Sequence, residues 1–103
     1  MYKLCFFVPP EHAEQVKKVV FETGAGKLGE YAECCWQTLG TGQFRPLDGS
    51  QPFLGRKGAL ERVQELKVEL LCEPTLIHQA IAALKDAHPY EEPAYEVIKL
   101  EDF

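Results

Sequence analysis

The residues with the most chemical potential lie together near the C-terminus. His88-Pro89-Tyr90-Glu91-Glu92-Pro93-Ala94-Tyr95 places one imidazole, two carboxylates and two phenols in a single short run. Two prolines stiffen it, so its polar groups have little entropy left to lose on binding. His88 with Glu91 or Glu92 has the donor types of half a divalent-metal or proton-transfer site, to be completed by another subunit. The same residues equally suit a rigid helix-to-strand connector whose His and Glu satisfy nearby backbone groups. Tyr90 and Tyr95 would pack against or shape either arrangement.

Other candidate chemistry has less to stand on. Gly24-Ala25-Gly26-Lys27-Leu28-Gly29 spells the dinucleotide fingerprint G-x-G-x-x-G. That mechanism needs a strand before the glycines and a helix N-terminus after them. Here a helical pattern precedes and a strand pattern follows, so the run reads as a helix cap and a turn. Gly40-Thr41-Gly42-Gln43-Phe44-Arg45-Pro46 and Gly55-Arg56-Lys57-Gly58 gather basic charge in an acidic chain. Turns rich in glycine can cradle an anion, with Arg45 as its counter-charge, or simply be a solvated connection.

No C-x-x-C, H-x-x-x-H or close Cys/His pair occurs among Cys5, Cys34, Cys35, Cys72, His12, His78 and His88. On a strand, Cys34 and Cys35 would point to opposite faces, which argues against one ion held by both. The cysteines fall in apolar segments and are expected as reduced, buried thiols of a cytoplasmic protein. No nucleophile with an adjacent base is evident and no Walker motif occurs, so a non-enzymatic role is expected.

The elements that must position these groups follow from periodicity. Residues 2–8 form a continuous β-prone run ended by Pro9 and Pro10. From Glu11 to Thr23, Ala13, Val16, Val19 and Val20 share one helical face, and Gly24 supplies the stop. Tyr31 to Leu39 reads as a second strand, and Gly40 through Gly58 as an irregular loop. Leu66, Val68, Leu70 and Cys72 alternate with Glu65, Lys67 and Glu69, giving one buried and one wetter face of a strand. Glu73-Pro74 opens a second helix carrying Ile77, Ala80, Ile81, Leu84 and Ala87 on one face, and His88-Pro89 closes it. Ala94 to Leu100 supplies the last strand.

This order predicts one α+β domain over residues 1–103, a ferredoxin-like βαββαβ fold with a long β2–β3 loop. Two right-handed crossovers put both helices on one face of a four-stranded antiparallel sheet. The other face is then bare, and apolar groups on both sides of the second strand suggest that oligomerisation covers it.

Composition excludes several classes. The chain is 46% hydrophobic and 11% aromatic, which fits a folded globule. A formal charge of −5 and a pI near 5.2 oppose general nucleic-acid binding and attachment to an anionic membrane. No apolar run approaches the ~20 residues of a membrane span, and the short apolar start lacks the basic flank of a signal peptide.

Taken in order, several motifs resemble the CutA-like/PII-like domain inserted in the Nif-three-like (YqfO) family. They are Val8-Pro9, Gly24-Ala25-Gly26 with Gly29 and Tyr31, Gly40 to Pro46, Pro52 and Gly55, Glu61 and Glu65, and His88 to Tyr95. The His-Pro-Tyr-Glu portion is also similar to the equivalent connector of CutA proteins. The resemblance implies the same fold, a homo-oligomer (trimer by analogy with CutA, or a dimer through the open face) and a link to divalent cations. It supplies no catalytic residues, because the family's dimetal centre belongs to a flanking domain with no counterpart here. The resulting expectation is a binding protein with a small ligand or divalent metal ion between subunits. His88, Glu91 and Glu92 are its metal ligands, and Tyr90 and Arg45 join them in the ligand site. The alternative is a regulatory module docking a partner protein through residues 41–57.

Overall fold

A computed structural model describes all residues, Met1–Phe103. The elements run β1 (Tyr2–Val8), α1 (Pro10–Glu22), β2 (Trp36–Phe44), β3 (Glu61–Cys72), α2 (Ile77–Ala87) and β4 (Tyr95–Lys99). The sheet order is β2-β3-β1-β4 with every neighbouring pair antiparallel. This is the expected ferredoxin-like fold, with a βαβ crossover in each half of the chain.

The core forms where the two periodicities meet. Leu4, Phe6 and Val8 of β1 and Val68, Leu70 and Cys72 of β3 point to one face of the sheet. Ala13, Val16 and Val20 of α1 and Ile77, Ala80 and Leu84 of α2 close over them, and nearly all are fully buried. Pro10 at the first turn of α1 fits the one place where a missing N–H costs nothing. At the other end, Gly24 and Gly26 adopt φ of 99° and 83°, a region that L side chains rarely enter. The Gly24 N–H caps Phe21 O at 2.9 Å, and the Gly26 N–H reaches Leu71 O at 2.8 Å. The glycine fingerprint is thus a helix cap and turn.

The second strand begins and ends later than its sequence suggests. Leu28 and Tyr31 exchange backbone hydrogen bonds in a tight turn, and Glu33 has a φ of 57°. Those conformations break any strand from Tyr31, so Cys34 and Cys35 lie before β2. Both line one shallow hollow with Lys27, Leu28 and Trp36, in place of the opposite faces expected of a strand. All four thiols are free; Cys5 and Cys72 are buried, whereas Cys34 is half-buried and Cys35 exposed.

Gly40 and Gly42, expected in a loop, are instead strand residues paired with Glu65 and Val63. The Glu65 carboxylate occupies the space a Cβ at Gly42 would take, so any other residue there would displace it. The first of the two glycine segments, offered as an anion cradle or a solvated connection, is thus up to Phe44 one arm of a hairpin whose other arm, β3, starts at Glu61. Similarly, the Glu73-Pro74 start of α2 is a turn, with the Leu76 N–H on Glu73 O, and the helix proper begins at Ile77.

The open face of the sheet is not the apolar surface its sequence suggests. Cys5 sits at its centre, 2% exposed, among Lys67, Glu69 and Glu96. Lys3 and Glu69 make an ion pair at 2.9 Å above it. Stems of long charged side chains cover the thiol while their heads stay in water. Phe7 and Leu71 lie half-buried on the same face, and its most exposed apolar groups are at the margins: Trp36 on β2 is 68% exposed and Ile98 on β4 is 49% exposed.

Candidate functional site

β3 outruns its neighbour. Its pairing with β1 ends at Val8 and Leu66, so residues Glu61 to Glu65 have only β2 beside them. Two connections close that end of the sheet. The α2–β4 segment passes over it, tied by the Phe7 N–H to Ala94 O at 3.3 Å. The β2–β3 loop folds back onto it, although its composition suggests no fixed course. There the Gly58 N–H donates to Pro46 O at 2.7 Å, Arg45 Nη1 donates to Gly58 O at 2.7 Å, and the Gln51 N–H donates to Glu91 Oε1 at 2.9 Å. Phe53 sets its ring edge-on to His12 of α1, with centroids 5.5 Å apart.

Between the two connections lies a cavity of about 410 Å³. Phe44, Phe53 and Tyr90 form its aromatic walls, and Arg45, Glu65, Glu91 and Glu92 reach it as charged groups. Tyr90 stands at the middle of the ring cluster. Its centroid is 6.3 Å from that of Phe44, 6.4 Å from Phe53 and 4.9 Å from His88. The Tyr90 hydroxyl is buried and hydrogen-bonded to nothing in the chain. Burial, and next the negative charge of Glu65, push its pKa up to about 12; Glu65 stands near without completing a hydrogen bond.

His88 is 6% exposed and does not face this cavity. Nε2 lies 2.7 Å from Phe7 O, and Nδ1 accepts the Tyr90 N–H at 3.1 Å. A carbonyl can only accept, so Nε2 carries the proton and Nδ1 the lone pair. The imidazole is neutral, and burial holds its pKa below the usual histidine value against the opposing pull of Phe7 O. Both nitrogens are used for backbone groups, which leaves no lone pair for a metal.

The divalent metal set expected of His88, Glu91 and Glu92 does not fit within one chain. His88 is committed to the backbone, Glu91 holds the Gln51 N–H, and Glu92 is exposed. No group of three or more His, Cys, Asp or Glu side chains converges anywhere in the structure. Of the sequence candidates, Tyr90, Glu91, Glu92 and Arg45 do meet, around the cavity, and His88 acts on them by fixing the Tyr90 backbone. Phe53 and Glu65 were not singled out for the site by sequence reasoning. Gly42 carried the signal for Glu65, since a glycine inside a strand marks a close approach from a neighbour.

Comparison with known proteins places this geometry in a lineage. The chain is 44% identical over 100 residues to the GTP cyclohydrolase 1 type 2 homolog of Halalkalibacterium halodurans, spanning 97% of itself and 27% of that protein. A crystal structure of a Bacillus cereus protein related to NIF3 superposes with a TM-score of 0.84 at 40% identity, over 98% of this chain and 26% of that one. CutA1 from Pyrococcus horikoshii has the same fold, with a TM-score of 0.72 at 20% identity over 86% of its length. No protein-family profile matches the chain. Homology to one segment of the NIF3-related proteins is thus established, as is the CutA-like fold. The chain spans about a quarter of the length of the curated relatives it matches.

Proposed function

We propose that this homologue of one segment of the GTP cyclohydrolase 1 type 2 homologs is a non-catalytic binding module. It assembles with copies of itself and receives a small ligand in the cavity beside Tyr90. The observation that carries this reading is the cavity: ring walls, few polar groups, and one buried hydroxyl left unpaired. An unsatisfied buried hydroxyl costs roughly 1–3 kcal/mol, and a bound partner would recover that. Tyr90, Glu91, Glu92 and Arg45 are the ligand-site residues. No nucleophile–base pair lies at the cavity, which favours binding over turnover.

Assembly is supported by β2. It is an edge strand whose side chains are nearly all exposed, with Trp36 and the 57%-exposed Leu39 on it. Such an edge offers unpaired N–H and C=O groups to a second strand. The charged centre of the open face makes that edge a better contact than face-to-face stacking. A second reading, a partner protein docked on the β2–β3 loop, is favoured by Leu47, 71% exposed on the loop that carries Arg56 and Lys57.

Native mass spectrometry of the full chain, with and without chelator, tests the proposal. The expected result is an oligomer unaffected by chelation, with a small molecule retained by wild type and lost from Tyr90→Phe. An oligomer that falls apart on chelation would move the site to a metal shared between copies. A ligand-free monomer would overturn both assembly and cavity.

A further inference from the structure

Charge and shape at the cavity narrow the class of ligand it takes, granted the reading of the cavity as a binding site. One cation and three carboxylates line it. Arg45 is committed to Gly58 O and Glu91 to the Gln51 N–H. Glu65 and Glu92 have neither an ion pair nor a hydrogen bond. Backbone hydrogen bonds leave the charges of Arg45 and Glu91 in place, so one positive charge faces three negative ones and the balance at the cavity is negative. Beside Glu65 stands the Tyr90 hydroxyl, also unpartnered, and around both are the rings of Phe44, Phe53 and Tyr90.

We infer that this cavity takes an organic cation, a protonated amine carried on a flat apolar body. The ammonium would sit against the Glu65 carboxylate and donate to the Tyr90 oxygen, while the body lies among Phe44 and Phe53. Each feature of the site selects for part of that chemistry. Aromatic faces attract a cation and accept an apolar body. An anion would meet three carboxylates with only the Arg45 guanidinium to offset them. A neutral apolar ligand would leave Glu65 and Tyr90 unpaired while stripping water from both. A bare metal ion would gain nothing from the rings and would lack a third protein ligand. Gly42 belongs to the same device: only a residue without a Cβ lets the Glu65 carboxylate lie across β2 toward the cavity.

The test is a titration of the full chain with three probes of one shape: phenethylammonium, phenylacetate and phenethyl alcohol. Binding is read from side-chain NMR shifts of Tyr90 and Phe53, and the oligomeric state from native mass spectra of the same samples. The expected result is that the ammonium binds at least about tenfold more tightly than the carboxylate. Glu65→Gln, which keeps the shape, then removes about that factor from the affinity for the ammonium and much less from that for the alcohol, with the assembly unchanged. Carboxylate or alcohol binding as tightly as the ammonium overturns the cation and leaves the cavity standing as a site. An unchanged ammonium affinity in Glu65→Gln likewise overturns it. Failure of all three probes to shift Tyr90 or Phe53 overturns the cavity reading itself, and the cation with it.

Discussion

The two ends of the sheet are closed on different terms. At the helix-covered end, Leu4, Phe6, Val16, Val20, Val68 and Leu84 are wholly buried against one another. At the other, β3 has only β2 beside it and is covered by two irregular connections meeting around a cavity. The first end is dry and self-sufficient. The second keeps a buried hydroxyl and two carboxylates unpaired, an arrangement that stability alone would not select. On the proposed reading stability and binding are separated along one strand, and the twelve residues of β3, at about 3.3 Å each, are long enough to serve both.

The largest expected effect comes from removing mass from the dry end. Phe6→Ala deletes a fully buried ring from the dry core. It is expected to cost roughly 3–5 kcal/mol in a urea titration, a large part of the roughly 5–15 kcal/mol of a domain of this size. A loss much below that range would mean the core is not the close-packed unit described.

His88 joins the two ends, and its removal is next in size. His88→Ala leaves Phe7 O and the Tyr90 N–H buried without partners, so a loss of roughly 2–4 kcal/mol is expected. The wild-type residue also sets a pH dependence. Its folded-state pKa is held below the unfolded value, mainly by burial and further by nearby His12, so the unfolded chain binds the extra proton first. Stability contributed by the neutral ring is complete above the unfolded pKa of about 6.5 and is lost as pH falls below it. Urea midpoints measured across that window should decline toward acid in wild type and flatten in His88→Ala. Parallel curves would show that other groups carry the titration.

Gly42→Ala is expected to separate binding from stability. The new Cβ meets the Glu65 carboxylate, which is the far end of a flexible side chain and can swing aside. Rotamer strain of about 0.5–1.5 kcal/mol bounds the stability cost, whereas ammonium binding should weaken as much as in Glu65→Gln. Full retention of binding would show that Glu65 does not need its place over β2.

Legibility followed the same division. The helix-covered end was readable because its signals are local and periodic: Leu66, Val68 and Leu70 alternate, and Ile77, Ala80 and Leu84 repeat at helical spacing. The cavity end was half readable. His88 to Glu92 stood out by composition, and the structure uses His88 for backbone groups, one of the two roles its residue types allowed. What composition could not carry was long-range. Gly40 and Gly42 look like loop residues until β3 lies beside them. Phe53 has no periodic partner, and its contacts with His12 and Tyr90 come from distant parts of the chain. The open face misled for a related reason, since Lys67, Glu69 and Glu96 shelter Cys5 only once three strands are aligned.

The smallest expected effect on stability belongs to the largest exposed side chain. Trp36 is bigger than Phe6, yet it begins an edge strand, stays mostly exposed and makes one surface hydrogen bond, Nε1 to Thr38 Oγ1 at 3.0 Å. Trp36→Ser should change the stability measured by urea unfolding by no more than about 0.5 kcal/mol, the usual range for surface positions. If copies pair along β2, the same substitution should lower the sedimentation coefficient by weakening the assembly, because an exposed indole on an edge strand contributes only when a second chain covers it. An unchanged sedimentation profile would remove Trp36 from the contact and turn attention to the other margin, at Ile98. A large fall in stability with assembly intact would instead mean that Trp36 packs within its own chain. The contrast between a buried end and an available one would then fail at its most exposed residue.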